Sequence, residues 1–214
     1  MSIQEQLDQA KVGFTVRLPA EAQTDILRQV KELRDSGIVY GLREGDAAPD
    51  FSLESPLGET LTLYEELAKG PVVLIFYRGA WCPFCNIQLR GCQKLLPEME
   101  RYGGRLIAVS PQSPDKSLSQ SEKEQLTFPV LSDPDGRVAD SFGLLFELPD
   151  YLVQTYAGTL KLNLAEYNRT DRWVLPVPAT YIIDKNGMIR RASVNADFME
   201  RMEPEDIVRQ LKQL

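Results

Sequence analysis

Cys82 and Cys85 form a C-x-x-C pair inside the string F-Y-R-G-A-W-C-P-F-C that ends at Cys85. Residues 72–77 before it are an unbroken, β-branched apolar run, as in a buried strand. Behind it Leu89, Cys92, Leu95, Leu96 and Met99 recur at helical spacing. A thiol pair at that junction opens a helix, where unpaired N–H groups and the macrodipole favour thiolate over thiol. Arg78 stands close enough in sequence to add a positive charge. Three residues of separation bring the sulfurs within bonding distance across a first turn, so that one attacks and the other resolves. A helix opening generically exposes the first sulfur, which favours Cys82 as the attacking thiolate.

The same letters have plainer readings. C-x-x-C is half of a zinc site, but zinc needs four ligands, and only Cys92 or carboxylates could complete the set. No metal or other cofactor is therefore expected. Cys92 shares an apolar stripe with Leu89 and Leu96 and reads as a small core residue. Arg78 could equally sit in an ordinary surface ion pair, and Tyr77 and Phe84 read as packing. The acidic run Glu200, Glu203, Glu205 and Asp206 is most simply a solvated helix start.

The chain has no histidine, which excludes Ser-His-Asp and Cys-His catalysis and any His-ligated zinc or haem. A net charge of −7 argues against nucleic acid and anionic membrane surfaces as partners. At 43% apolar and 26% charged residues the composition is that of an ordinary globular protein. A length of 214 residues fits one domain with a decoration. Such a chain buries roughly 70% of its extended surface and needs no disulfide staples. Three cysteines within one short segment are not a secreted disulfide framework. The opening MSIQEQLDQAK lacks the basic and apolar regions of a signal peptide, and residues 72–77 are too short to cross a bilayer. A cytoplasmic protein with reduced thiols is the expectation.

The elements that must position the pair follow from periodicity. Residues 1–43 form a helical extension: Ile26, Leu27, Val30 and Leu33 make one apolar stripe, with Pro19 as start and Gly37 as stop. The extension carries no chemistry of its own and suits packing on the domain or a homodimer contact. The domain, residues 44–214, alternates strand, helix, strand, helix and strand, with strands at 72–77, 106–109 and 129–131. Residues 117–125 are its second helix, and 133–136 a turn. Residues 146–173 are weakly periodic and read as an insertion, from which Arg172 and Trp173 could shape a groove. Residues 180–183 and 188–194 flank Asn186-Gly187, a strong hairpin signal. The last helix opens near Pro204 and turns Ile207, Val208, Leu211 and Leu214 inward. The whole is an α/β sandwich with a mixed sheet flanked by helices.

Three segments then carry a resemblance. G-D-A-A-P-D-F-S-L at 45–53, F-P-V-L-S-D-P-D-G at 128–136 and P-A-T-Y-I-I-D at 178–184 are similar to peroxiredoxins of the alkyl hydroperoxide reductase and thiol-specific antioxidant type. The resemblance implies a thioredoxin-like fold. That family's P-x-x-x-[TS]-x-x-C pattern, laid on without gaps, puts the peroxidatic cysteine on Cys85, the threonine on Cys82 and the proline on Arg78. Two positions depart. The family's later arginine falls near Pro178, where the chain instead resembles thioredoxins, whose cis-proline faces the redox pair; a trans strand-opening proline is the other reading. The body thus resembles a peroxiredoxin and the centre, W-C-P-F-C, a thioredoxin. Thioredoxin logic favours Cys82 as nucleophile, peroxiredoxin alignment Cys85. The resemblance implies a thiol-dependent peroxidase acting on hydrogen peroxide or organic hydroperoxides through a Cys82–Cys85 disulfide, recycled by thioredoxin or another dithiol. The alternative is a dithiol–disulfide oxidoreductase acting on protein disulfides. Supporting site residues are Arg78, Trp81 and Pro178.

Overall fold

Two helices precede the sheet, α1 (Ile3–Arg17) and α2 (Ala20–Asp35). The structure, a computed structural model, describes residues 1–36, 38 and 40–214; the stop signal expected at Gly37 lies outside them. Ser2 caps α1 through a reciprocal pair of bonds with Glu5, and Glu203 from the far end of the chain accepts from the Gln4 N–H at 2.7 Å. Part of the acidic run is thus a tertiary cap rather than a solvated surface. Pro19 does mark the start of α2. Ile26, Val30 and Leu33 are buried as the stripe predicted, but Leu27 is exposed and Ala22 and Gln29 complete the face.

The domain then runs β1 (Ser52–Glu54), β2 (Thr60–Thr62), α3 (Leu63–Leu67), β3 (Val72–Phe76), α4 (Pro83–Arg101), β4 (Arg105–Ser110), α5 (Pro114–Glu124), β5 (Val130–Ser132) and α6 (Arg137–Ser141). It continues with β6 (Leu145–Glu147), α7 (Asp150–Gln154), a π-helical turn (Thr155–Thr159), α8 (Leu164–Asn168), β7 (Val174–Pro176), β8 (Ala179–Ile183), β9 (Ile189–Val194) and α9 (Pro204–Leu211). Five strands form one mixed sheet in the order β5-β4-β3-β8-β9, with β3, β4 and β5 parallel and β8 and β9 antiparallel. This is the α/β arrangement with a mixed sheet that the alternation predicts, and the thioredoxin-like fold that the resemblance implies. β3 is buried along its whole length at the centre, which is why its sequence is continuously apolar rather than alternating.

The helices cover both faces. α1, α4 and α9 pack together on one of them, and Ile3 and Leu7 of α1 join its core. α1 lies so close on α4 that a Cβ at Gly91 would come within 2.4 Å of Ile3. Fully burying a leucine such as Leu7 contributes about 1.5–3 kcal/mol, so the extension is an integral layer. Leu214 is exposed and does not belong to the α9 face, which stops at Leu211. The segment read as an insertion is ordered: β6 and β7 pair across it, and α7 and the π-helical turn lean on α2.

Candidate active site

β3 ends at Phe76 and the chain must turn sharply to start α4. Gly79 makes that turn at φ +142°, and a Cβ there would lie 2.6 Å from the Trp81 indole nitrogen. Cys82 is the N-cap of α4, Pro83 its first residue, and Cys85 lies within the first turn. A buried polar network holds the loop in place. The Gln112 side-chain oxygen accepts from the Ala80 N–H at 2.9 Å, and the Asn86 amide donates to the Ala80 carbonyl at 2.8 Å. Tyr77 Oη donates to Gln120 at 2.7 Å and accepts from Gln112 at 3.0 Å. Tyr77 is therefore packing and also an anchor for the redox loop. A network whose members satisfy one another in this way makes the scaffold rigid.

Both sulfurs are buried: Cys82 is 1% exposed and Cys85 0%. The expectation of an exposed first sulfur fails: Cys82 lies in the same buried cluster as Phe84 and Phe198, against which Phe14 of α1 packs. Cys82 instead faces a cavity of about 640 Å³, while Cys85 lies behind it. Arg201 Nη2 donates to Cys85 Sγ at 3.4 Å. Burial pushes the Cys85 thiol up, but a hydrogen bond from Cys82, the Arg201 charge, the Arg78 backbone N–H and the Arg78 charge outweigh it and bring Cys85 down to about 5. Burial and the neighbouring Cys85 charge push Cys82 far up, against the same two arginines. The pair holds one proton and one negative charge between its sulfurs, and titrates as a unit.

Arg78 is not in a surface ion pair. It is 5% exposed and, among the described residues, has no carboxylate partner. Its guanidinium donates to Tyr156 Oη and lies 4.1 Å from the Phe198 ring centroid and 4.8 Å from that of Trp81. Trp81 in turn meets Tyr156 edge-on at 5.5 Å. Arg78 Nε and Trp81 Nε1 are buried donors without an acceptor among the described residues, and both side chains line the cavity. Such donors are costly to leave unpaired and are ready for a ligand oxygen.

The remaining expectations divide. Cys92 is a fully buried core thiol on α4, pushed up to about 12 by burial. Pro178 is not a cis-proline, since no peptide bond described is cis. It sits with Arg78 and Tyr156 in a small gap beside the main cavity, not on the cavity wall. Arg172 is drawn away to the 133–136 turn, where it donates to the Asp135 carbonyl at 2.8 Å, and Trp173 packs against the core. Sequence reasoning missed Arg201, Tyr156 and Phe198. Arg201 hid in an acidic run and Tyr156 in a segment without periodicity. It also missed that the extension contributes to the site, since Phe14, Leu18 and Ile26 line the cavity. No helix described is long and apolar enough to cross a membrane.

Comparison with known proteins gives these features a lineage. Residues 44–192 match the AhpC/TSA family. Peroxiredoxin Bcp of Escherichia coli is 34% identical over 123 residues, 57% of this chain and 77% of its own length. The thioredoxin-like protein YneN of Bacillus subtilis is 31% identical over 169 residues, 76% of this chain and 78% of its own. Among solved structures, peroxidoxin BcpB of Mycobacterium tuberculosis superposes with a TM-score of 0.63 at 22% identity, covering 81% of this chain and 98% of that one. A cysteine-to-serine mutant of PrxQ from Xylella fastidiosa gives 0.64 at 20% identity, covering 82% and 98%. These two likenesses concern the fold. With the family matched across most of its length and a dithiol centre at the opening of α4, this chain belongs to the AhpC/TSA family and is an oxidoreductase of the peroxiredoxin-like kind.

Proposed function

We propose that the protein is a thiol-dependent peroxidase in which Cys82 takes the oxygen and Cys85 resolves it. The observation that carries this reading is that Cys82, and not Cys85, lines the cavity, with the negative charge held on Cys85 beside it, ready to take the Cys82 proton. A hydroperoxide in the cavity meets Cys82 first. The Cys82 sulfur bonds to the terminal oxygen, the O–O bond breaks, and the Cys82 proton passes to the Cys85 thiolate. The products are Cys82 sulfenic acid, a Cys85 thiol and an alkoxide, whose developing charge faces Arg78. The Cys85 sulfur then attacks Cys82, losing its proton as hydroxide leaves, and one water and the Cys82–Cys85 disulfide form. Two electrons have moved from the sulfurs to the peroxide, and the alkoxide takes a solvent proton to become the alcohol.

Thioredoxin or another dithiol would then reduce the disulfide, as suits a reducing compartment such as the cytoplasm. The assignment of Cys82 as nucleophile is tested by trapping the sulfenic acid with dimedone after one equivalent of hydrogen peroxide. The Cys85→Ser variant is expected to carry the label on Cys82. A labelled Cys85 in the Cys82→Ser variant, formed as fast as the wild type reacts, would reverse the roles.

A second reading, disulfide exchange with protein substrates, is favoured by the thiol at Cys82 where the peroxiredoxin pattern has threonine, and by the similarity to YneN. It predicts rapid reduction of insulin disulfides by the reduced protein, together with peroxide reactivity no better than that of a free thiol.

A further inference from the structure

Three side chains that line the cavity over Cys82 carry a hydrogen with no acceptor among the described residues. Arg78 Nε and Trp81 Nε1 are two of the donors. The third is the Tyr156 hydroxyl, which accepts from the Arg78 guanidinium and, among the described residues, donates to nothing. The three are not equivalent. A guanidinium stays charged in proteins and an indole N–H only donates a hydrogen bond, so neither parts with its proton, whereas a phenol can.

Peroxide cleavage calls for such a group. Breaking the O–O bond of an alkyl hydroperoxide expels an alkoxide, a base comparable to hydroxide, whose conjugate acid titrates at ~15.7. The chain has no histidine, and among the described residues no aspartate or glutamate lines the cavity. Lys161 lines it from an exposed position, and the Cys82 proton is spent on Cys85. Tyr156 is buried, edge-on to Trp81 at 5.5 Å. Burial pushes its phenol up, Arg78 pulls it down and the charge on the sulfurs pushes it up again, so it rests protonated. A phenolate, ordinarily at ~10, is a far weaker base than an alkoxide, and Arg78 lies against the oxygen that would carry the charge.

The backbone holds this hydroxyl in place. Tyr156 is the second residue of the π-helical turn Thr155–Thr159, a local widening of the helix of a kind that recurs at functional sites. The Thr155 hydroxyl donates to Asp25 of α2, and the Tyr156 carbonyl accepts from the Leu162 N–H at 2.8 Å. The helical extension thus braces the turn that carries Tyr156.

Resting on the peroxidase reading, we propose that Tyr156 is the catalytic acid of the peroxide step. As the Cys82 sulfur bonds to the terminal oxygen, the O–O bond breaks and its electron pair leaves on the alkyl-side oxygen. That oxygen takes the Tyr156 proton and departs as the alcohol. The phenolate left beside Arg78 takes a proton from solvent through the cavity, which restores the site.

Varying the leaving group separates the proton from the other contacts of Tyr156. Ethyl hydroperoxide expels ethoxide, which needs a proton. Peracetic acid has nearly the same size and expels acetate, a carboxylate that titrates at about 4 and needs none. Both are reacted with the reduced protein in stopped flow, in mildly acidic buffer that keeps the peracid neutral. A positioned acid contributes about 10²–10⁴-fold, part of which solvent and Arg78 replace in a variant. Tyr156→Phe is therefore expected to slow ethyl hydroperoxide at least ~10-fold more than peracetic acid. Loss of the Arg78 acceptor alone slows the two alike, so equal slowing, or none, overturns the assignment. Tyr151→Phe lies on the same segment, where its hydroxyl donates to Glu32 at 2.6 Å, and controls for loosening of the turn. It should leave the ratio of the two rates unchanged; the same selective loss there overturns the assignment. A second measurement needs no variant. The lead of peracetic acid over ethyl hydroperoxide should be at least ~10-fold smaller for the wild type than for free cysteine, and an equal lead overturns the acid. Wild-type rates no better than those of free cysteine with either oxidant overturn the peroxidase reading, and the role of Tyr156 with it.

Discussion

Replacing Arg201 with methionine removes the guanidinium that donates to Cys85 Sγ at 3.4 Å and keeps a side chain of similar reach. A hydrogen bond to a charged group contributes about 1.5–3 kcal/mol net. At about 1.4 kcal/mol per pKa unit, its loss should raise the titration of the pair by ~1–2 units. Arg78 remains and limits the rise, because it too holds down both sulfurs. The assay is the pH dependence of iodoacetamide alkylation of the reduced protein, with the thiolate absorbance near 240 nm as a second probe. The wild type should show an inflection at about 5 and Arg201→Met one at ~6–7. Arg201→Lys should restore part of the shift, since it keeps the charge and loses the bonds to the Phe198 and Glu200 carbonyls. A purely structural arginine would not be rescued in this way. An Arg201→Met inflection within ~0.3 unit of the wild type, in a protein with unchanged circular dichroism, would refute the electrostatic account.

Other predictions follow the same contacts. Tyr156→Phe removes the acceptor of the Arg78 guanidinium and leaves a buried charged donor short of a partner; at ~1–3 kcal/mol the peroxide reaction should slow ~5- to 160-fold in stopped flow. Cys92→Ser places a hydroxyl in an apolar core and should cost ~1–3 kcal/mol in urea unfolding while the peroxide rate stays that of the wild type. Cys85 is ionised in the fold above about 5 but protonated when unfolded until about 9, so the unfolded state binds one more proton between those values. Stability should therefore rise with pH across that window, by up to ~1.4 kcal/mol per unit, and fall as pH drops through about 5; Cys85→Ser should lose this slope, and a variant with the same slope would contradict the assignment.

The fold was legible where burial wrote itself into composition. β3 and residues 106–109 of β4 are continuously apolar because helices cover both faces of the sheet, and the Asn186-Gly187 turn fixed the β8–β9 hairpin. Cys82 and Cys85 were legible because strand, turn and helix signals meet at residues 76–85. Other parts of the site were not, since they depend on long-range packing that local pattern does not encode. Arg201 approaches Cys85 from 116 residues away in the chain, and Tyr156 reaches Arg78 from a π-helical turn without apolar periodicity. The burial of Cys82 could not be foreseen from a helix opening alone, because Phe14 of α1 and Phe198, both distant in sequence, pack into the same cluster. Leu27 and Leu214 fit an apolar stripe by spacing yet stay exposed, since Leu27 lies off the buried face of α2 and Leu214 lies past the end of α9.

The most direct test of the central claim is the rate at which the fully reduced protein reacts with hydrogen peroxide or an organic hydroperoxide at neutral pH. Trp81 fluorescence reports the reaction, and mass spectrometry counts disulfides. The account predicts a rate far above that of a free thiol and one Cys82–Cys85 disulfide per peroxide consumed. A rate no better than a free thiol, or oxidation that leaves the pair reduced, would contradict it.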